Sequence, residues 1–402
     1  MAVNLKYPEN IIGVPGVSLG VAATGEKDKD DLVIVRFEEG SSVAGVFTKS
    51  AFAAPPVILA KARQNSCRAW IINSGNANAA TGEPGMRDAE EICANLARLL
   101  SVEGESVMPF STGVIGERLP LQLIKDATER AVMDMSGNKW LQAAEAIMTT
   151  DTVPKLVEKR FSLGNNTIVI GGMAKGSGMI RPDMATMLSF ITCNVSIYES
   201  LLPSLVKHVA DASFNRITVD GDTSTNDAFV LACTGNSDSP VIENEAQYEY
   251  AIVRDALVEV AQELAQAIVR DGEGATKFVA VKISGGTTER ECLEVAYSIA
   301  ESPLVKTAIF AEDANWGRFC MAIGKAGVRH LDTDKITLWL DDLVVAERGR
   351  ISTEYSEEKG AAVLAQEEFS VRVDLGRGEA NATIWTTDLS HEYIRINAEY
   401  RS

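Results

Sequence analysis

Two short β-type runs, Thr167-Ile168-Val169-Ile170 and Met187-Leu188-Ser189-Phe190-Ile191, bracket a Gly-rich segment. That segment reads Gly171-Gly172-Met173-Ala174-Lys175-Gly176-Ser177-Gly178-Met179-Ile180-Arg181-Pro182-Asp183-Met184-Ala185-Thr186. Short runs rich in β-branched and aromatic residues read as strands, so a fold of this chain has to hold both ends of that loop in a sheet. Pro182 stops regular structure, and one hydroxyl residue, Thr186, leads into the second run. A loop of this kind can set a hydroxyl beside its own upstream carbonyl. Thr186 would then attack the Ala185 carbonyl in an N-to-O acyl shift, and water would split the ester. The new first residue carries a hydroxyl nucleophile and a free α-amine, which titrates near pH ~8 and serves as the nucleophile's own base. Such chemistry needs no histidine, and the chain's three (His208, His330, His391) show no metal-ligand spacing. Read from the residues alone, a plain Gly-rich turn before a strand competes with this chemistry.

At 402 residues the chain exceeds what one core usually sustains. Two domains are expected: a catalytic domain over residues 1–275 and a C-terminal α/β domain over residues 276–402. A net charge of −18 argues against nucleic acid and anionic membranes as partners, since both need a basic face. Cys67, Cys93, Cys193, Cys233, Cys292 and Cys320 form no C-x-x-C pair and read as reduced core thiols. The N-terminus lacks a continuous apolar h-region and no run is long enough to span a membrane, so the expected address is the cytoplasm. Residues 220–227 lack the EF-hand ligand order, and the Gly-rich segment lacks the phosphate-loop pattern. No metal and no resident cofactor are expected.

An α/β alternation runs along the chain. Residues 32–37, 43–47 and 69–73 read as strands, followed by a helix capped by Asp88 with Ile92, Leu96, Leu99 and Leu100 on one face. Helical spacing recurs over residues 119–135, 139–148, 246–270 and 291–300, and strands over 278–281, 336–340, 369–373 and 382–385.

The run Lys175-Gly176-Ser177-Gly178-Met179, followed by Pro182-Asp183-Met184-Ala185-Thr186-Met187-Leu188, resembles the self-cleavage motif of the glutamate N-acetyltransferase (ornithine acetyltransferase) family of arginine biosynthesis. Matching blocks include Gly45-Val46-Phe47-Thr48, Asn73-Ser74-Gly75-Asn76-Ala77-Asn78-Ala79, Ser111-Thr112-Gly113-Val114 and Met148-Thr149-Thr150-Asp151-Thr152. Others are the run from Phe214 to Asp227, Glu273-Gly274, Asp313-Ala314-Asn315-Trp316-Gly317-Arg318 and the Asn397 tail, so the resemblance spans nearly the whole chain.

What the resemblance implies is specific. The fold would be a layered α-β-β-α sandwich-type catalytic domain with a smaller C-terminal α/β domain. The activity would be ping-pong transfer of acetyl from N-acetyl-L-ornithine to L-glutamate through an acetyl-Thr186 ester, after cleavage between Ala185 and Thr186. Thr112 and Gly113 would form the oxyanion hole, where each aimed donor contributes about 3 kcal/mol. Thr149, Lys175, Thr186, Glu273, Asn397 and the last residue would bind substrate. That last residue is Ser402, where the family pattern has Thr, and the hydroxyl is kept. The substrates ask for a cation, met by Lys175, and an anion for the ornithine ammonium, met by Glu273. Without the resemblance, Lys175 reads as a solvated loop residue and Glu273 as a solvated residue after a helix. The cleaved halves would stay together as an α2β2 heterotetramer. Use of acetyl-coenzyme A as a second donor stays open, as does the role of Asn315-Trp316-Gly317-Arg318. Two rival readings are a self-cleaving aminopeptidase or amidase of the same architecture, and a non-enzymatic amino-acid binder with an intact chain.

Overall fold

A computed structural model of the chain describes residues 2–181 and 187–399. The chain divides into two compact units, one of Lys6–Asn215 with Asp222–Ile268, the other of Met1–Leu5, Arg216–Gly221 and Val269–Ser402.

In the larger unit, β1 (Val17–Ala22), β2 (Leu32–Phe37), β4 (Ala69–Asn76) and β5 (Val107–Val114) form a four-stranded sheet in the order β1-β2-β4-β5. A five-stranded sheet runs β3-β10-β8-β7-β6, built from β3 (Ser42–Phe47), β6 (Lys155–Leu163), β7 (Asn166–Lys175), β8 (Leu188–Cys193) and β10 (Ala228–Cys233). The sheets bury their facing sides in one core, with Val33, Val35, Trp70, Ile72 and Phe110 from the first meeting Val43, Met173, Leu188, Phe190 and Val230 from the second. Trp70 and Phe110 reach Phe190 with ring centroids 5.4 and 5.0 Å apart, so aromatic contacts bridge the sheets.

The outer face of the first sheet, through Leu32, Ile34, Ala69 and Ile71, packs under α2 (Gly82–Leu100) and α3 (Leu121–Met133). Ala89, Ile92, Cys93, Leu96 and Leu100 bury one stripe of α2, as their helical spacing requires. Asp88 does not cap this helix. Gly82, Glu83 and Pro84 already form its first turn, where proline's missing N–H costs nothing, and Asp88 ion-pairs with Arg118. On the outer side of the second sheet, α5 (Leu202–Ala212) lies against β3, and α6 (Tyr248–Arg270) presses Val260 and Leu264 onto Gly172. The order of layers in this unit is helix, sheet, sheet, helix. Short helices α1 (Pro55–Ala62) and α4 (Trp140–Ala146) complete it.

Gly171-Gly172-Met173-Ala174-Lys175 belongs to strand β7 and not to the loop that its glycines suggest. The reason is steric. A Cβ on Gly172 would lie 2.9 Å from Leu264, and one on Gly171 would lie 2.8 Å from Val14. These glycines let neighbours approach the strand closely. The connection proper starts at Gly176, and Lys175 pairs with Leu188 of the adjacent antiparallel β8.

The smaller unit is a seven-stranded sheet in the order β14-β13-β12-β15-β11-β16-β9. Its strands are β9 (Ile217–Thr218), β11 (Phe278–Gly286), β12 (Thr337–Leu340), β13 (Leu343–Glu347), β14 (Arg350–Ile351), β15 (Glu368–Asp374) and β16 (Ala380–Thr387). Val281, Ile283, Leu338, Val371, Val373 and Ile384 share one core with helices α7 (Glu289–Ala300), α8 (Pro303–Phe310) and α9 (Trp316–Gly324). Helices α10 (Glu357–Leu364) and α11 (His391–Ala398) start on serine caps, the Ser356 and Ser390 hydroxyls accepting from Lys359 N and Tyr393 N. No helix among the described residues is long and apolar enough to cross a membrane.

Candidate active site

Strand β5 is irregular where Asn76 of β4 pairs with both Thr112 and Val114. Gly113 occupies the bulge at φ +131°, and a Cβ there would lie 2.3 Å from Gly75 O and 2.6 Å from Asn76 N. Only glycine fits, because backbone atoms cannot step aside as a flexible side chain can. The residues before it are tied down. Ser111 Oγ donates to Asn73 Oδ1 at 2.6 Å, and Asn226 Nδ2 donates to Ala77 O at 2.6 Å and Ser111 O at 2.9 Å. Thr112 and the Gly113 N–H are thereby held at the end of a strand whose position is set from both sides. Gly113→Ala is expected to lower unfolding free energy by about 2 kcal/mol through overpacking. Urea denaturation beside the wild type checks it.

Lys175, at the end of β7, donates from Nζ to Thr149 Oγ1 at 2.8 Å and to Thr112 Oγ1 at 3.2 Å. Three residues widely spaced in sequence thus meet through one ammonium. Behind them lies Asp151, which the sequence motif contains but did not single out. Its Oδ2 accepts from Thr149 N at 3.0 Å, and its Oδ1 accepts from Gly176 N at 2.7 Å and Lys155 Nζ at 2.6 Å. Both side chains of the Asp151–Lys155 ion pair are fully buried. Burial alone would raise the Asp151 pKa, but the Lys155 and Lys175 ammoniums and the hydrogen bonds hold it well below the usual carboxylate range. One carboxylate therefore fixes Thr149 and the first residue after Lys175 together. Its one mark in the sequence is an oppositely charged residue four positions on, Lys155. A second buried carboxyl, Asp227, is pushed up by burial, with Ser224 and the Lys175 charge opposing.

In the smaller unit, Glu273 is 8% exposed and its Oε2 accepts from Asn397 Nδ2 at 2.7 Å. Asn397 also donates to Tyr393 O at 3.0 Å, and Gly274 O accepts from Ser390 Oγ at 2.6 Å. The turn after Glu273 is thus tied to the first turn of α11. Glu273 is not a solvated residue trailing a helix. Of the other residues expected from sequence, Ala185, Thr186 and Ser402 lie outside the described residues.

Among the described residues no group of three or more His, Cys, Asp or Glu side chains could hold a metal ion. All six cysteines are unpaired as disulfides, and burial pushes the thiols of Cys67, Cys93 and Cys193 up to about 12, where they are inert.

Two stacked sheets between helix layers, with hydroxyls and an ammonium gathered where β5 and β7 end, define a layered α/β enzyme. Comparison narrows the class. Residues 16–402 match the ArgJ family. The "Arginine biosynthesis bifunctional protein ArgJ" of Pseudomonas syringae pv. tomato is 50% identical over 405 residues, covering all of both chains. The protein of the same name from Pseudomonas fluorescens is likewise 50% identical over 405 residues with full coverage. Among solved structures, the arginine biosynthesis bifunctional protein argJ of Bacillus halodurans aligns with TM-score 0.50 and 36% identity. It covers 52% of this chain and 98% of its own. The chain belongs to the ArgJ family.

Proposed function

We propose that this chain moves acetyl from N-acetyl-L-ornithine to L-glutamate through an ester on Thr186, in arginine biosynthesis, after cleaving itself between Ala185 and Thr186. The observation that carries the reading is the single ammonium of Lys175 joined to Thr112 and Thr149 beside the Gly113 bulge. In the first half-reaction the Thr186 oxygen attacks the acetamide carbon while its own amine takes the hydroxyl proton. The C–N bond then breaks, the proton passes to the leaving nitrogen, and ornithine departs. Glutamate's amine attacks the acetyl ester in the second half, the C–O bond breaks, and Thr186 regains its proton. The negative charge on the carbonyl oxygen is met by the Thr112 hydroxyl and the Gly113 N–H. Since the Thr112 oxygen already accepts from Lys175, its hydrogen is left for that oxygen. Thr112→Ala is expected to lower kcat by about a hundredfold with little change in KM, the loss of one such donor. Steady-state ornithine release measures it.

Lys175, with Thr149 and Ser402, takes the carboxylate end of the substrates. Glu273, held by Asn397, takes the ornithine ammonium. Exchange of one amide for another is nearly balanced in free energy, so the site's task is to keep water from the ester. No resident cofactor enters. The relatives are named bifunctional, which agrees with acetyl-coenzyme A as a second acetyl donor, its acetyl passing to Thr186 as the thiol leaves. Self-cleavage is supported by the coverage of the solved relative, almost all of whose chain is accounted for by about half of this one. The fragments 1–185 and 186–402 stay associated as α2β2, and the protein works in the cytoplasm on small molecules.

Incubation with N-acetylornithine tests the reading against a hydrolase. Ornithine release that depends on glutamate supports transfer, and release at the same rate without glutamate contradicts it.

A further inference from the structure

Lys27 sits in the connection between β1 and β2 and points at the same strand bulge from the side of β4. Its Cε lies 2.7 Å, and its Nζ 3.2 Å, from where a Cβ on Gly75 would stand, and Gly75 is the residue that abuts Gly113. Its Nζ donates to Ser74 Oγ at 3.3 Å, and that hydroxyl in turn donates to Ala146 O at 2.7 Å, three residues before Thr149. The connection is anchored at its base. Buried Asp31 accepts from Thr24 N and from Thr24 Oγ1, both at 2.6 Å. Lys27 is thus half-buried, with its ammonium on the Ser74 hydroxyl.

Among the described residues no carboxylate lies within ion-pair distance of Lys27. The charged groups around it are Lys29, Asp31, Lys175 and Glu26. Burial first, then Lys29 and Lys175, push its pKa down, while Asp31 and Glu26 oppose them. Two ammoniums kept within electrostatic reach of each other cost free energy, and a ligand with two negative charges relieves that cost. The two substrates of the proposed reaction differ in this respect. N-acetylornithine has one carboxylate and an ammonium, whereas glutamate has two carboxylates.

We infer that Lys27 is a specificity-determining residue that binds the side-chain carboxylate of glutamate in the second half-reaction, with Lys175 on the α-carboxylate. The inference rests on the transfer reading above. Lys27 recognises the acceptor and leaves the donor to Lys175 and Glu273.

The test uses acceptor preference, the ratio of kcat/KM for glutamate over glutamine, in wild-type, Lys27→Met and Lys27→Arg proteins. Both acceptors are measured on one preparation, so partial misfolding cancels from the ratio. Lys27→Met is expected to reduce the ratio about tenfold or more, the worth of one charged hydrogen bond. Lys27→Arg keeps the cation and is expected to stay within about threefold of wild type. Intact mass after addition of N-acetylornithine reports acetyl-Thr186 in each protein. If acetyl-Thr186 forms in Lys27→Met and the ratio is unchanged, the inference about Lys27 is overturned and the transfer reading stands. If the wild type forms no acetyl-Thr186, the transfer reading fails and takes this inference with it.

Discussion

Thr186→Ala is expected to leave one uncut polypeptide of 402 residues and to remove acetyl transfer. Both losses follow from one oxygen. Without it nothing attacks the Ala185 carbonyl, so the chain is not divided and the α-amine that would act as base is never freed. Nor is there an atom to receive the acetyl group. Removal of a covalent nucleophile lowers kcat by about 10⁴ or more even when substrate binding survives. Thr186→Ser keeps the oxygen and is expected to cleave and to retain part of the activity. Denaturing electrophoresis and ornithine release together decide the matter. A divided Thr186→Ala chain, or one that still transfers acetyl at more than about a hundredth of the wild-type rate, contradicts the assignment.

Lys155→Met is expected to cost about 3–5 kcal/mol of unfolding free energy at neutral pH. The variant leaves the Asp151 carboxylate buried without its ion-pair partner, since both members of the pair are fully buried at 2.6 Å. Asp151 also accepts from Thr149 N and Gly176 N, so its displacement loosens both neighbours of Lys175. Urea titration reads the loss directly, and a change below about 1 kcal/mol would place the pair among interactions of surface worth. Pairing Lys155→Met with Asp151→Asn should restore a large part of the stability, because no buried charge is then left alone. The pH dependence has a definite sign. The Asp151 carboxyl is held below its ordinary value in the folded chain, so the unfolded chain takes up that proton first as pH falls. The stabilisation is complete above about pH 4–5 and is lost progressively as pH falls below it toward the depressed folded value.

The parts of this chain that could be read from sequence were those whose signal is local. Residues 32–37 and 69–73 announced strands β2 and β4 because their side chains are apolar on both faces, as a sheet covered on both sides demands. Strand β6 escaped because it is an edge, with Glu158, Lys159 and Arg160 on it, and edges carry charge. The glycines of β7 pointed to a loop because close packing by Val14 and Leu264 leaves no trace in the local pattern. In the site, long motifs singled out Thr112, Thr149 and Lys175, which Lys175 Nζ joins within one unit. Asp151 stood within a motif, marked only by an oppositely charged residue four positions on. Its role depends on Lys155 and Gly176, which only folding brings to its oxygens. Lys27 is further from legibility, lying 47 residues from the Ser74 hydroxyl it touches.

Intact-mass measurement of the purified wild-type protein, before and after N-acetylornithine is added, is the most direct test of the acetyl-Thr186 mechanism. Two polypeptides ending and beginning at Ala185 and Thr186, with one acetyl group gained by the 186–402 fragment and released on adding glutamate, are the predicted result. A single unsplit chain that gains no acetyl group would contradict it.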